Sequence, residues 1–335
     1  MSRYKGVVSY CGAAYAGWQR QNDKDSIQET IEQAIKIITL KETPITGSGR
    51  TDAGVNALGQ VFHFDSDIEM TGYKWKGAIN GFLPNDIHIE SVEKVDDNFH
   101  ARFAVKLKQY DYLVNMGEYD VFTRDTVYQF GHPLDIEKMK EASKYLIGTH
   151  DFTSFCSNSK DLMEDQVRTV YDIQFFKEGN ILRISYTGHG FLRYMVRLMS
   201  GQLIEVGRGK IEPIEVKKAL EAKSKRVVRK NAPSCGLTLV RVEHFNILAI
   251  NEEYYVRDLI PTDILEDNLT YIVSNKKTDE IIGKIYIVQK ETSTTIKLIL
   301  ENNENDVQLL LPSLKKQLNH LYSNVNFVVR SSVNE

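Results

Sequence analysis

The chain has 335 residues, with 42 Lys and Arg against 45 Asp and Glu, for a formal net charge of −3 at pH 7. Hydrophobic residues make up 42% and charged residues 26%, a balance that excludes a collagen-like or broadly disordered chain. At typical domain sizes of about 100–200 residues, two or three domains are expected, each able to bury a core. Cys11, Cys156 and Cys235 lie far apart and form no CxxC pair, so neither a disulfide framework nor a cysteine zinc site is predicted. No run of about 18 apolar residues occurs, and the first residues lack the apolar stretch of a secretion signal; a cytoplasmic protein is expected.

The near-neutral total conceals an asymmetry. Residues 248–335 carry 9 basic and 13 acidic residues, whereas residues 183–241 carry 13 basic and 4 acidic ones, a local net of +9. A basic surface attracts a phosphate backbone, although a solvated helix face accounts for the same charges.

In chain order, residues 7–10 read as a short strand. Ser26 with Glu29 three residues on forms a capping box. Ile27, Ile31, Ala34, Ile35 and Ile38 then recur at three- and four-residue steps, the pattern of an amphipathic helix with a core-facing stripe. Residues 61–64 form a strand in which His63 has no partner at metal-ligand spacing. Further strands are predicted at 110–114, 170–175, 181–186 and 237–242. Helices are predicted at 136–147, capped by Asp135 and stopped by Gly148, at 191–206, and from Pro213 to about Ala222. The elements alternate without a strict βαβ rhythm, and no GxGxxG follows the first strand. An α+β fold with a largely antiparallel or mixed sheet is predicted, not a dinucleotide-binding fold.

One loop stands out. From Gly47 to Gly59 there are four glycines in 13 residues, too many for a regular helix or a good strand. It carries Arg50, Thr51 and Asp52. It lacks GxxxxGK[ST], and Thr46 stands where a nucleophile elbow needs glycine. On glycine count alone, the segment is a polar turn whose aspartate caps a helix starting near Ala53.

The flanking residues point elsewhere. Arg50, Thr51, Asp52, Ala53, Gly54 and Val55, followed by Gly59, Gln60 and Val61, resemble the active-site signature of TruA-type tRNA pseudouridine synthases. Tyr10–Gly12, Tyr15–Gln19 and Gln21 resemble that family's opening motif. Leu83–Ile87 and Phe99–Phe103 resemble its middle, and Tyr110 with Tyr112 its Tyr-x-Tyr. Gly190, Phe191, Met195, Val196, Arg197, Gly201 and Glu205–Gly207 resemble its late helix. Ala232, Pro233, Gly236 and Leu237 resemble its last motif. The ordered matches span about residues 4–245. The domains expected are 1–105, half of a synthase core with the catalytic loop; 106–247, the second, basic half; and 248–335, a small α+β domain outside the resemblance.

The resemblance implies a tRNA pseudouridine synthase acting in the anticodon stem-loop, at nucleotides 38–40. Such a reaction breaks N1–C1′, turns the uracil, joins C5 to C1′ and removes the C5 proton. It implies Asp52 as the catalytic carboxylate, a group ionised at neutral pH that can add covalently or stabilise positive charge at the sugar. Arg50, two residues away, is the expected ion partner. Tyr110 is implied to stack on the flipped base and assist proton removal, Arg197 to pair with Asp52, and Leu237 to wall the uracil pocket. Arg193, Gln60 and Asn56 are expected to contact the substrate, with Arg193 placed one helical turn before Arg197 and facing phosphate. The resemblance implies no metal or other cofactor, and a homodimer in which one tRNA touches both subunits.

Two positions depart from the family pattern: Cys11 where aspartate is usual, and Asn56 where histidine is usual. They leave open a different reading, a non-catalytic or retargeted tRNA-binding chaperone. In the tail, strands are predicted at 271–274, 281–289 and 295–300 and a helix at 312–322. That order resembles half of an acetyltransferase fold, but the acyl-CoA loop is absent. A module for RNA positioning or for a protein partner is expected there.

Overall fold

The isoleucine stripe sets the first layer. In the computed structural model, which describes residues 1–103, 105–157, 166–245, 247–250, 254–257, 269–275, 281–290, 293–300 and 325–331, strand β1 (Ser2–Tyr10) is followed by helix α1 (Ile27–Thr39). The Ser26 hydroxyl accepts the Glu29 N–H, as a capping serine should, and Leu40 ends the helix in a left-handed conformation. Ile27, Ile31 and Ile35 are fully buried, each contributing about 1.5–3 kcal/mol of burial.

Strands β2 (Thr46–Gly47) and β3 (Asn56–Ser66) frame the glycine-rich loop. Helix α2 (Gly72–Asn80) and strand β4 (Ile87–Val95) follow. Neither was predicted: α2 holds two buried apolar residues, Trp75 and Ile79, too few to set a helical rhythm. Trp75 packs edge-on against Phe64 and tilts over Tyr4, which ties α2 to β1 and β3.

The second half adds strands β5 (Val105–Asn115) and β6 (Tyr128–Gln129), helix α3 (Ile136–Ser143), and strands β7 (Gly148–Asp151), β8 (Val167–Glu178) and β9 (Ile181–Gly188). Helices α4 (Met195–Gly207) and α5 (Pro213–Glu221) and strand β10 (Leu237–His244) complete it. Asp135 caps α3 by accepting the Lys138 N–H. The helix is shorter than the predicted 136–147: it ends at Ser143, tightens into a 3-10 turn over Lys144–Leu146, and gives way to β7 at Gly148. The expected helix over 191–206 instead begins at Met195.

These strands form one ten-stranded sheet in the order β4-β1-β3-β10-β5-β9-β8-β7, with β2 beside β3 and β6 beside β5. Most neighbours are antiparallel, but β10 runs parallel to β3 through Thr238–Asn56 and Leu239–Ala57. The fold is therefore α+β with a mixed sheet flanked by helices. The β3–β10 pairing joins the two halves at the middle of the sheet and brings the loop before β3 beside the turn that opens β10.

Met1–Val95 with Leu107–Glu243 make one compact unit; Asp96–Lys106 with His244–Glu335 make another. The second holds a six-stranded sheet of β11 (Ile247–Ile250), β12 (Tyr254–Arg257), β13 (Leu269–Asn275), β14 (Ile281–Lys290), β15 (Ser293–Leu300) and β16 (Val325–Ser331) in sequence order. Among its described strands, only β15 and β16 pair in parallel. Val273, Ile285 and Leu298 are its buried centre. The three predicted tail strands correspond to β13, β14 and β15, while the predicted helix at 312–322 lies outside the described residues. Among the described residues, no helix is long and apolar enough to cross a membrane.

Candidate active site

Asp52 does not cap a helix. Its carbonyl accepts the Val55 N–H at 3.1 Å, closing a turn in which Gly54 takes φ +73°. A positive φ at the third turn position suits glycine. A side chain at Gly54 would also meet the Ser234 hydroxyl at 2.6 Å. The turn leads directly into β3, so the regular backbone of the sheet anchors the irregular one that carries the carboxylate.

Neighbouring segments clamp this turn. The Trp18 N–H donates to the Thr51 carbonyl at 3.1 Å, and the Tyr10 and Thr51 hydroxyls lie 2.8 Å apart in the core. Gly12 approaches so closely that an added Cβ would stand 2.1 Å from the Val55 carbonyl oxygen. Lys108, two residues before Tyr110 on β5, donates to the Ser48 carbonyl at 2.9 Å. Tyr10, which the sequence placed only in the opening motif, and Lys108, which it missed, are structural members of the site. The period-2 spacing of Lys108 and Tyr110 on one strand face was the available signal.

Two arginines flank the carboxylate. Arg197 Nη1 lies 3.7 Å from one Asp52 oxygen and Arg193 Nε 3.9 Å from the other. The Asp52 side chain is 22% exposed, Arg197 13% and Arg193 62%. These distances exceed those of a hydrogen-bonded fork, so both arginines stand as loose ion partners of the carboxylate. Burial pushes the Asp52 carboxyl above the usual carboxylate range, and the guanidinium groups of Arg197 and then Arg193 oppose that shift without cancelling it. The result is a partly desolvated carboxylate with a cation near each oxygen.

The expected partner, Arg50, is not among those cations. Its Nε donates to Gln19 Oε1 at 3.1 Å, and Gln19 continues through Gln28 to the buried Glu32. Residues two apart in an irregular loop need not point the same way, so nearness in sequence misled here. Arg193 also differs from expectation: it precedes α4 instead of lying on it. Its carbonyl accepts the Ser157 N–H, and Tyr194, with φ +65° and ψ 0°, turns the chain into the helix.

Tyr110 is 8% exposed and meets Phe191 edge-on, with ring centroids 5.4 Å apart. Its hydroxyl has no hydrogen-bond partner among the described residues. Burial raises its pKa, with the charge of Asp52 among the further causes, so the phenol is protonated at neutral pH. Tyr112 is structural, its hydroxyl donating to the Pro233 carbonyl at 2.9 Å. Leu237 is buried at the start of β10.

Asn56 and Gln60 are placed as tethers, not as exposed substrate contacts. Asn56 is 4% exposed. Its Oδ1 accepts the Gly12 N–H at 2.8 Å, and its Nδ2 donates to the carbonyls of Asp125 (3.1 Å) and Cys235 (3.0 Å). Gln60, fully buried, accepts the Ser48 hydroxyl and donates to the Gly49 carbonyl. An amide saturated this way holds backbone in place and has little left for RNA. His63 is a buried strand residue. Among the described residues, no group of three His, Cys, Asp or Glu could hold a metal ion.

Comparison with known proteins gives a consistent picture. A family model described as tRNA pseudouridine synthase matches residues 7–104 and 142–244. The chain is 42% identical over 247 residues to tRNA pseudouridine synthase A of Bacillus licheniformis, covering 73% of this chain and all of that protein. It is 44% identical over 248 residues to tRNA pseudouridine synthase A of Listeria monocytogenes, again covering 73% of this chain and all of the relative.

Proposed function

The chain belongs to the tRNA pseudouridine synthase family, and on that premise we propose that it isomerises uridine to pseudouridine at nucleotides 38–40 of the tRNA anticodon stem-loop, with Asp52 as the catalytic carboxylate acting on a flipped-out base. The observation that carries this reading is the Asp52 carboxylate itself: partly desolvated, and flanked by Arg193 and Arg197 at 3.9 and 3.7 Å.

Asp52 attacks or electrostatically supports the nucleotide as N1–C1′ breaks. Arg197 keeps the carboxylate ionised against the cost of its burial. The Tyr110 ring offers a face to the extruded uracil, and its hydroxyl takes up the proton that leaves C5 once C5–C1′ has formed while passing its own proton to water. Arg50, whose Nη atoms have no partner among the described residues, and the exposed Arg193 hold phosphate or fill the gap left by the extruded base. The reading includes a cytoplasmic homodimer with one tRNA across both subunits, and residues 248–335 as a module that engages a protein partner. Asn56, one of the two departures behind a non-catalytic reading, is committed to backbone groups, which is compatible with intact chemistry.

The test is position-resolved pseudouridine mapping of unmodified total tRNA incubated with the purified full chain. New pseudouridine at 38–40 is expected. An unchanged map alongside tight tRNA binding contradicts catalysis; new pseudouridine confined to other nucleotides contradicts the position alone.

A further inference from the structure

Tyr194 occupies a backbone conformation that side chains other than glycine rarely adopt, at φ +65° and ψ 0°. Left-handed backbone is unfavourable for a residue with a side chain, and such strain persists where its surroundings hold it. Here they do. On one side, the Arg193 carbonyl accepts the Ser157 N–H at 3.2 Å; on the other, the Tyr194 carbonyl accepts the Leu198 N–H at 2.9 Å and starts the ladder of α4. An asparagine or glycine would fit this conformation with less strain, so something about the tyrosine side chain offsets the cost.

The ring supplies the reason. The guanidinium carbons of Arg193 and Arg197 each lie 5.0 Å from the Tyr194 ring centroid, within cation–π range. These are the same two arginines that stand 3.9 and 3.7 Å from Asp52. Like charges gathered around one carboxylate repel each other; Arg193 is long and 62% exposed, while Arg197 is also held through its Nε by the Ala232 carbonyl at 2.8 Å. A π-surface that attracts both cations limits where they go. The left-handed turn is what places the ring there, between Arg193 before the helix and Arg197 in its first turn.

We propose that Tyr194 is a positioning residue for the uridine isomerisation, its ring holding Arg193 and Arg197 against Asp52 so that the carboxylate stays ionised and aimed. The proposal rests on Asp52 being the catalytic carboxylate. The groups facing Asp52 are Arg197 from α4, Arg193 from the segment before it, and Tyr110 from β5, whose neutral phenol contributes no charge.

The experiment compares Tyr194→Phe, which keeps the ring, with Tyr194→Asn and Tyr194→Gly, which accept the backbone and lose the ring. Steady-state kinetics on tRNA across pH are read together with thermal unfolding, and Asp52→Asn is run alongside. Tyr194→Phe is expected at the unmodified protein's kcat and pH profile. Tyr194→Asn and Tyr194→Gly should fold and lose about tenfold in kcat with KM changed less than about twofold. Their acidic limb should move toward neutral pH, because loosened arginines oppose the burial of Asp52 less. A purely structural tyrosine would lower the unfolding temperature and leave that limb in place. Ring-less variants with an unmoved limb and full kcat overturn the proposal, as does a Phe variant as impaired as the Asn variant. If Asp52→Asn stays active, the underlying assignment of Asp52 fails, whatever the Tyr194 variants do.

Discussion

Arg197 touches two things at once: its Nη1 lies 3.7 Å from the Asp52 carboxylate, and its Nε donates to the Ala232 carbonyl at 2.8 Å. The Ala232 N–H in turn donates to the Arg197 carbonyl. The guanidinium is thus aimed by the chain segment that leads into β10, while its far end serves the carboxylate on the loop before β3. The parallel β3–β10 pairing makes both attachments possible.

A lysine cannot reproduce this arrangement, because one ammonium cannot meet the carbonyl and the carboxylate with the same fork. Arg197→Lys should therefore lose about a hundredfold in kcat, the scale of removing one preorganised electrostatic partner. Single-turnover kinetics on tRNA with C5-tritiated uridine reads this directly. A lysine variant within twofold of the unmodified protein would show that charge alone suffices.

Tyr110 separates ring from hydroxyl. Tyr110→Phe keeps the surface for stacking and the edge contact with Phe191, so tRNA affinity should stay within about twofold. It removes the hydroxyl that the proposed proton relay requires, and kcat should fall by about a hundredfold. Filter binding and single-turnover rates measured on one preparation separate the two effects.

Asn56 carries a stability prediction. Asn56→Ala leaves the Gly12 N–H and the carbonyls of Asp125 and Cys235 without their partner, at a cost of about 2–4 kcal/mol. Denaturant unfolding should show a lower midpoint, with kcat reduced because the catalytic turn loses its tether to Gly12. An unchanged midpoint would mean that water replaces the amide freely.

His63 sets a pH dependence. Burial, helped by Arg3 and opposed by Asp65, lowers its pKa from 6.5 to about 4. The unfolded chain then binds a proton at His63 that the folded chain refuses, so stability should rise with pH between about 4 and 6.5. Put the other way, stability is complete above the unfolded value and is lost as pH falls through that window, by a few kcal/mol at about 1.4 kcal/mol per unit. Unfolding of His63→Leu followed from pH 4 to 7 should give a flatter profile than the unmodified protein.

How far the sequence carried differs from element to element. Helix α1 was legible because its cap and its isoleucine stripe agree; β5, β8, β9 and β10 were legible because strand-forming residues cluster there. Helix α2 was not, since its stability comes from Trp75 packed on Tyr4 and Phe64, partners distant in sequence. The pairing of Asp52 with Arg197 followed from the family pattern. The idle position of Arg50 relative to Asp52 did not, because turn direction depends on Gly54 and on the Gly12 contact. Tyr194 could not be seen at all: nothing in a one-dimensional pattern marks a tyrosine that takes a left-handed turn.

Asp52 as the proposed catalytic carboxylate is also open to a stability test. Burial raises its pKa in the folded chain, so its ionised form costs stability above that pKa and the cost vanishes as pH falls through it. Asp52→Asn should therefore unfold no lower than the unmodified protein at neutral pH, with the difference shrinking toward acid. The decisive measurement is tritium release from C5-labelled uridine in tRNA by this folded, tRNA-binding variant. No release above background is expected; release at the rate of the unmodified protein would show that another group does the chemistry.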